Sequence, residues 1–427
     1  MILKGNCLDT LKTLPDCSID SIVTDPPYEY GFMGKSWDAS GIAYNAEMWR
    51  ECLRVLKPGG HLLAFSGSRT YHRMTVAIED AGFEIRDQIM WIYGSGFPKS
   101  LDVSKAIDKA AGAEREDGVA GPYSARRPRD RVQTNTGAFE GTMGASTSAL
   151  VTAPATSEAQ RWQGWGTALK PAHEPICVAR KPLTGTVASN VLKWGTGALN
   201  IDGSRVGTAD WGSRPPSSPN QIYGKLDLTD EPSVANALGR WPANVIHDGS
   251  DEVLAGFPRQ AGAGGKASGP TLTGESTSTS RGLFGGVEDT PFYGDSGSAA
   301  RFFYCAKASK SERNAGLEGL PEKGKVFNGQ SGEPAGKAEG SVEDKFSTKP
   351  AQNFHPTVKP LALMRYLVKL VTPPGGTVLD PFLGSGSTAV AAILEGFEWV
   401  GCEMTEDYWP IIEARVQWAE NQPRTLL

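Results

Sequence analysis

The sequence offers little support for a disulfide scaffold, a zinc site or a membrane protein. Its 6 cysteines form no CxxC pair and are scattered singly: Cys7, Cys17, Cys52, Cys177, Cys305 and Cys402. We therefore expect no metal site, and reduced thiols in a cytosolic protein fit this pattern better than disulfides. No apolar run approaches the ~20 residues of a membrane span, and no basic segment followed by an apolar one indicates a secretory signal. These absences predict a cytoplasmic protein without a membrane partner.

An excess of positive charge is also missing. The formal net charge is -5, whereas a nucleic-acid-binding protein is usually basic. Contacts with phosphate would therefore have to come from local basic patches. The length of 427 residues exceeds what one compact core normally holds, so we expect two domains or one domain with large insertions.

Strand-like and helix-like segments alternate at both ends of the chain. In residues 1–98 the pattern predicts strands at 2–3, 18–23, 61–66 and 83–91, and helices at 8–14, 47–55 and 69–81. From residue 355 it predicts strands at 377–379 and 399–403, and helices at 361–371, 387–396 and 406–418. This rhythm indicates an α/β fold with a parallel sheet covered by helices.

The middle of the chain has a different composition, rich in Gly, Ser, Thr, Pro and Ala. Residues 261–286 and 319–350 are close to low complexity, and three segments still resemble strands, at 173–180, 241–247 and 302–305. We predict one sheet assembled from both chain ends, with residues 1–98 and 351–427 as its two parts. Residues 99–350 would then form a Gly/Ser-rich inserted region.

The turn after the strand at 377–379 has the features of a site for a nucleoside or a carboxylate. Gly384 and Gly386 allow close approach of the backbone and precede a helix N-terminus, whose free N–H groups suit a polar ligand. Glu403 follows 19 residues after Gly384 (403 − 384), near the spacing of an acid that binds ribose. The turn is neither a phosphate-binding Gly-Lys-Ser/Thr loop nor a Gly-x-Gly-x-x-Gly motif. An ordinary Gly-rich turn is the alternative.

The turn after the strand at 18–23 is suited to gripping an aromatic amine. Asp25 supplies a carboxylate acceptor, and the carbonyl of Pro26, held by two rigid prolines, supplies a second one. Two acceptors for the two N–H bonds would free the lone pair of the nitrogen for attack. Tyr28 supplies an aromatic face for a base swung out of a duplex. The alternative is a simple Asp-Pro-Pro turn after a strand.

These motifs resemble those of the S-adenosylmethionine-dependent amino-group DNA methyltransferases of phages and bacteria. Asp25-Pro26-Pro27-Tyr28 matches the catalytic motif, and Asp380-Pro381-Phe382-Leu383-Gly384-Ser385-Gly386 matches the methionine-moiety loop. Their order is similar to the permuted beta group, as is the segment His355-Pro356-Thr357-Val358-Lys359-Pro360, which packs beside the cofactor in that group. Gly5-Asn6-Cys7-Leu8-Asp9 resembles the opening motif, with Asn6 where Asp is usual.

The resemblance implies a Rossmann-like methyltransferase sheet, S-adenosylmethionine as cofactor, and flipping of a target base in double-stranded DNA. It implies Asp25, Pro26, Pro27 and Tyr28 as catalytic residues. The implied cofactor-binding residues are Asn6, Asp25, His355, Thr357, Lys359, Pro360, Asp380, Pro381, Phe382, Gly384, Ser385, Gly386 and Glu403. We expect His355 to be a positioning residue rather than a catalytic base.

The resemblance also implies adenine N6 as the methyl acceptor, because Asp rather than Ser stands at position 25 of the catalytic motif. Cytosine N4 presents the same two N–H donors and stays the alternative, as does a silent relative that binds DNA or cofactor without turnover. Methylation of RNA or of a protein amide fits less well, since those enzymes usually place an Asn-Pro-Pro-Tyr motif after the cofactor loop. A homodimer and a cognate restriction endonuclease in a bacterial or phage-infected cell are further candidate partners.

Basic residues in the middle region are the candidates for contact with DNA. The densest basic run contains Arg126, Arg127, Arg129 and Arg131, and Lys307 begins a second one. Arginine can grip phosphates or guanine edges. A solvated loop is the alternative for the arginine run.

Overall fold

The computed structural model describes residues 1–31, 36–96, 100–115, 152–206, 239–257, 303–305, 307–325 and 348–422. The chain divides into two compact units. The larger one, here called the sheet unit, contains Met1–Gly94 and His173–Leu427, and the small unit is Ser95–Ala172. The candidate DNA-contact residues Arg126, Arg127, Arg129 and Arg131 lie outside the described residues.

The described strands are β1 Ile2–Lys4, β2 Ile19–Thr24, β3 Leu56–Phe65, β4 Glu84–Ile92, β5 His173–Arg180, β6 Val245–His247, β7 Phe303–Tyr304, β8 Lys323–Lys325, β9 Thr348–Ala351, β10 Thr377–Asp380 and β11 Glu398–Glu403. The described α-helices are α1 Cys7–Thr10, α2 Ala46–Val55, α3 Tyr71–Asp80, α4 Val103–Ala110, α5 Ser157–Arg161, α6 Val187–Trp194, α7 Asp251–Ala255, α8 Lys310–Asn314, α9 Leu361–Val371, α10 Ser387–Leu394 and α11 Trp409–Glu420. None of these helices is long and apolar enough to span a bilayer.

Nine of these strands form one sheet, in the order β1-β11-β10-β2-β3-β5-β4-β6-β7. All neighbouring pairs are parallel except those that involve β5, which runs antiparallel between β3 and β4. Strands from the two ends of the chain are neighbours in this sheet, because β11 lies beside β1 and β10 lies beside β2. The predicted α/β sheet assembled from both chain ends is therefore confirmed. All three strand-like segments of the middle region also join this sheet.

The core of the sheet unit follows from the apolar runs that the sequence shows. β2 and most of β3 are buried along their length, as expected for strands covered on both faces. Helix α9 buries one stripe, including Leu363, Leu367 and Val371. The predicted helix at 8–14 differs, because α1 ends at Thr10 and a 3-10 turn, Leu11–Thr13, follows it.

The small unit has its own polar centre. The carboxylate of Asp108 in α4 is buried and accepts hydrogen bonds from the backbone N–H groups of Ala155 and Thr156, at 3.0 Å each. Arg115 lies 3.0 Å from the same carboxylate. These contacts join residues 100–115 of the small unit to residues 152–172. The division of the chain at residues 98 and 350 stays a prediction.

The topology places one crevice at the carboxyl ends of β2 and β10. From β10 the chain crosses to β11 on one side, and from β2 it crosses to β3 on the other. Open α/β sheets bind ligands at such a switch point. The turn that carries Asp25 begins there, directly after Thr24, and so does the turn that carries Gly384 and Gly386, directly after Asp380.

Candidate active site

A buried carboxylate joins the catalytic turn to the cofactor turn. Asp380 accepts a hydrogen bond from the Thr24 hydroxyl at the end of β2, at 2.6 Å, and one from the Thr388 hydroxyl of α10, also at 2.6 Å. The backbone N–H of Phe382 donates to it at 3.0 Å. Burial raises the pKa of Asp380 to about 6, against the effect of these hydrogen bonds. Asp380 therefore holds the two turns together, and both of its oxygens are already engaged.

The cofactor turn needs glycine at two positions. Gly384 has φ +55° and Gly386 has φ +78°, both in the left-handed region. A Cβ on Gly384 would lie 2.8 Å from Nε2 of His355, and one on Gly386 would lie 3.2 Å from Ile412. The His355 ring thus lies directly against the turn, where it also meets the ring of Tyr408 edge-on at 4.7 Å. This close packing, together with the left-handed backbone, requires glycine at both positions before α10.

Glu403, at the end of β11, forms a hydrogen bond with the same turn. Its Oε2 accepts a hydrogen bond from the Gly384 backbone N–H at 2.8 Å, and its Oε1 accepts one from Thr405 at 2.7 Å. Burial raises the pKa of Glu403. Asn6 lies near this strand end, since the backbone N–H of Gly5 donates to the carbonyl of Glu403. The Asn6 side chain caps α1 by accepting from the N–H of Leu8 at 2.9 Å.

Ser385 is held by an arginine that the sequence motifs did not single out. The buried guanidinium of Arg415 in α11 donates to the carbonyl and the hydroxyl of Ser385, at 2.6 and 3.0 Å. It also reaches the hydroxyl of Ser387 at 3.2 Å. Burial lowers the pKa of Arg415 to about 10. Arg415 therefore fixes the middle of the cofactor turn.

The catalytic turn faces a buried lysine. Nζ of Lys359 lies 2.6 Å from Oδ2 of Asp25 and 3.4 Å from Oε2 of Glu174, and it also lies 4.9 Å from the centre of the Phe65 ring. Burial alone would lower the pKa of Lys359, but the two carboxylates outweigh it and raise that pKa. Lys359 is therefore held as a cation. Among the described residues, none donates a hydrogen bond to the buried Oδ1 of Asp25.

The aromatic side of this turn is ordered by Glu174. The Tyr28 hydroxyl donates to Oε2 of Glu174 at 2.6 Å, and Nζ of Lys359 lies 5.2 Å from the centre of the Tyr28 ring. Burial raises the pKa of Tyr28 well above its ordinary value, and the nearby carboxylates of Asp25 and Glu174 add to this. Burial also raises the pKa of Asp25, although Lys359 opposes it. The tyrosine therefore stays protonated as a hydrogen-bond donor.

The remaining sequence candidates lie around this centre. Pro360 precedes α9 as its cap residue, and Thr357 is exposed on the segment between His355 and Lys359. Lys307 places its Nζ 3.6 Å from the centre of the Tyr93 ring. Pro26 is buried and Pro27 is half-buried, while Pro381 and Phe382 open the cofactor turn. The structure thus brings the described candidates of both motifs to one edge of the sheet.

Sequence reasoning missed Glu174 and Arg415. Glu174 was recognised only as part of a strand, and its role depends on the direction of β5. Because β5 is antiparallel, its first residues lie beside the carboxyl end of β3, where the N–H of Ser66 donates to the carbonyl of Pro175. A charged residue at the start of an otherwise apolar strand was the available signal. For Arg415, the signal was a basic residue at helical spacing from the apolar residues Ile411, Ile412 and Ala419, with which it is buried in α11.

The sequence matches the N6_N4_Mtase family, described as DNA methylase, over residues 19–193 and 284–414, which is more than half of the chain. The chain belongs to this family. It is therefore grouped with the S-adenosylmethionine-dependent amino-group DNA methyltransferases, as its motifs indicated, and S-adenosylmethionine is the cofactor.

Individual relatives match the chain over shorter stretches. The type II methyltransferase M.HinfI of Haemophilus influenzae is 30% identical over 109 residues, which are 21% of this chain and 30% of that protein. M.HpaI of Haemophilus parainfluenzae is 31% identical over 116 residues, or 25% of this chain and 36% of that protein. The chain thus aligns with about a third of the length of these relatives. The solved structure of the PvuII DNA methyltransferase (cytosine-N4-specific) covers 100% of this chain and 87% of its own, with a TM-score of 0.41 and 13% identity.

Proposed function

We propose that this protein transfers a methyl group from S-adenosylmethionine to the exocyclic amine of a base in duplex DNA, with adenine N6 as the acceptor. The observation that best supports this proposal is that the two carboxylate oxygens of Asp25 have different hydrogen-bonding surroundings. One oxygen is held by Lys359 at 2.6 Å, and the other accepts no hydrogen bond within the described part of the chain. Such an acceptor, buried at the switch point of the sheet, suits one N–H of an extruded base. The action would take place in the cytoplasm of a bacterial or phage-infected cell.

The catalytic turn would bind the amine that accepts the methyl group. Oδ1 of Asp25 accepts one N–H of the amine, and the carbonyl of Pro26 accepts the other, so that the nitrogen lone pair turns away from the ring. Lys359 favours the ionised form of Asp25, against the effect of burial, and its ion pair holds the carboxylate in place. The proton that the amine loses leaves toward Oδ1. Tyr28 offers its ring to the face of the base while Glu174 holds its hydroxyl.

The cofactor side fits the turn between β10 and α10. Glycine at positions 384 and 386 lets His355 and Ile412 pack against this turn, and α10 begins with backbone N–H groups that have no partner in their own helix. Glu403 and Asp380 shape this turn, with His355 on its outer side. When bound there, S-adenosylmethionine supplies an electrophilic methyl group carried on a sulfonium. Holding both substrates at one sheet edge is the main source of rate.

The region between the two motifs is assigned to target recognition. Residues 99–350 separate the catalytic turn from the cofactor turn in sequence, while β2 and β10 are neighbours in the sheet. An insertion at this place can vary without disturbing the pairing of those strands. Arg126, Arg127, Arg129, Arg131 and Lys307 stay the candidates for DNA contact in this region.

The test is transfer of labelled methyl from S-adenosylmethionine to duplex DNA, followed by nucleoside analysis of the product. We expect N6-methyladenine, and loss of at least ~100-fold in rate for Asp25→Ala. The exposed Asp80→Ala is the matched control and should behave as the wild type. Detection of N4-methylcytosine would move the assignment to cytosine. Cofactor binding without methylated product on varied DNA would show a silent relative.

A further inference from the structure

Two exposed arginines beside the catalytic turn differ from most other arginines of the described chain. Arg50, Arg54, Arg86, Arg115, Arg180, Arg205 and Arg365 each form an ion pair with a carboxylate. Arg69 and Arg73 form no ion pair with any residue that the structure describes. Their guanidinium groups lie over tyrosine rings instead, at 4.3 Å from the centre of Tyr30 and 5.5 Å from that of Tyr44.

The stacking leaves these guanidinium groups suited to a second partner. A ring occupies the face of a guanidinium, while its N–H donors point outward from the edge in a fork that matches phosphate. The nearby acid Glu29 is engaged elsewhere, since its carboxylate accepts from the backbone N–H groups of Gly41 and Ala43, at 2.8 and 3.3 Å. The charges of Arg69 and Arg73 are therefore held in place and exposed to solvent.

The same segment is tied directly to the catalytic turn. The Thr70 hydroxyl donates to the carbonyl of Tyr28 at 2.9 Å, and the backbone N–H of Arg69 donates to the hydroxyl of Tyr30 at 3.0 Å. The rings of Tyr28 and Tyr30 meet edge-on at 6.1 Å. Gly67 makes this approach possible, because a Cβ there would lie 2.1 Å from the Tyr30 hydroxyl oxygen. The two arginines thus stand at the rim of the site that holds the base.

We propose that Arg69 and Arg73 contact the backbone phosphates of duplex DNA next to the extruded nucleotide. The inference rests on the proposed function and names which described residues face the duplex. Phosphate contacts position a duplex without reading its sequence. They also compensate locally for the formal net charge of -5, which as a whole opposes the approach of DNA.

The test is the affinity of the full chain for duplex DNA as a function of salt concentration, for the wild type, Arg69→Gln, Arg73→Gln and the double variant. Each lost phosphate contact should lower the slope of log affinity against log salt by about one. We expect each single variant to bind ~3- to 10-fold more weakly at low salt, with less difference at high salt. Arg69→Lys, which keeps the charge, should retain most of the slope.

Lys193→Gln is the matched control. Lys193 is also an exposed cation over an aromatic ring, with its Nζ 5.0 Å from the centre of Trp194. Its helix α6 is attached to the opposite end of β3, where Asn190 donates to the carbonyl of Pro58 at 2.8 Å. The control should leave the slope unchanged, and all variants should bind S-adenosylmethionine as the wild type does.

Two results would overturn the inference, and they differ in what they imply. An unchanged slope in the double variant, with methylation intact in the wild type, would reject the phosphate contacts alone. A wild-type chain that binds and methylates no duplex would reject the proposed function together with this surface.

Discussion

Lys359 carries a buried charge that faces two carboxylates. Replacing it with methionine keeps much of its length but leaves Asp25 beside Glu174 without a cation, which raises the pKa of Asp25 further. For Lys359→Met we expect a fall of at least ~100-fold in kcat and a shift of the acidic limb of the pH–rate profile to higher pH. Lys369→Met, which removes a cation next to the buried Glu395, is the control for general loss of a buried pair. A profile that superimposes on the wild type would contradict this role.

Removing the charge of Glu174 should shift the acidic limb of the pH–rate profile in the opposite direction. Its carboxylate raises the pKa of Asp25 by repulsion. Glu174→Gln retains a hydrogen-bond acceptor for Tyr28 and removes the negative charge. The acidic limb should therefore move to lower pH, while kcat on the plateau falls less than in Lys359→Met. Shifts of the same sign in both variants would exclude the proposed charge balance.

Asp380 makes the stability of the protein depend on pH. Its pKa is raised by burial to about 6 from an ordinary 3.8, so its contribution to stability is complete below about pH 4 and is lost as the pH rises through about 6. Relative to Asp380→Asn, the wild type should lose about 3 kcal/mol of unfolding free energy between pH 4 and 7. Chemical denaturation at a series of pH values measures this difference.

His61 provides a control of opposite sign for that measurement. Burial, with Arg180 and Arg86 nearby, lowers its pKa to about 4 from 6.5. Its contribution is therefore complete above about pH 6.5 and is lost as the pH falls through about 4. Relative to His61→Gln, the wild type should become more stable as the pH rises from 4 to 6.5. Equal pH dependence in both comparisons would show that at least one of the two assignments is wrong.

At the scale of elements, the turn between β10 and α10 depends on the contact of Gly384 with His355. In Gly384→Ala, both the left-handed backbone and the His355 ring oppose the new methyl group. We expect S-adenosylmethionine to bind at least ~10-fold more weakly, since such strain costs of order 1–3 kcal/mol. Gly375→Ala, in the turn before β10, is the control for left-handed strain outside the cofactor turn, because Gly375 has φ +70° with nothing within 4 Å of its Cβ position. Equal loss of cofactor affinity in both variants would show that the His355 contact is unimportant.

Elements with a strong local pattern could be predicted from the sequence, and the partners across the sheet could not. The apolar stripe of α9 predicted its bounds, Leu361–Val371, as observed. The two motif turns were also placed correctly at strand ends. The direction of β5 depends on pairing between distant segments, so the position of Glu174 could not be read from periodicity. The same holds for Arg415, whose partner Ser385 lies 30 residues away.

At the scale of the whole molecule, the sheet requires both ends of the chain. β10 lies between β11 and β2, and the Thr24 hydroxyl bonds Asp380 across that junction. We expect separately produced fragments 1–257 and 303–427 to be unfolded alone and to recover a cooperative thermal transition when they are refolded together. Circular dichroism and co-purification measure this. A cooperative transition of fragment 303–427 alone would contradict it.

The pairing of Ile92 with His173 has a consequence for how such proteins can diverge. The chain leaves the sheet just after Ile92 and returns at His173, and these two residues face each other across neighbouring strands, about 5 Å apart. The segment between Ile92 and His173 therefore leaves the sheet and rejoins it at one place. A recombination event with breakpoints near these two residues could therefore exchange the whole segment between them for another one. The strands of the sheet, Asp25, Asp380 and the glycines of the cofactor turn would remain unchanged.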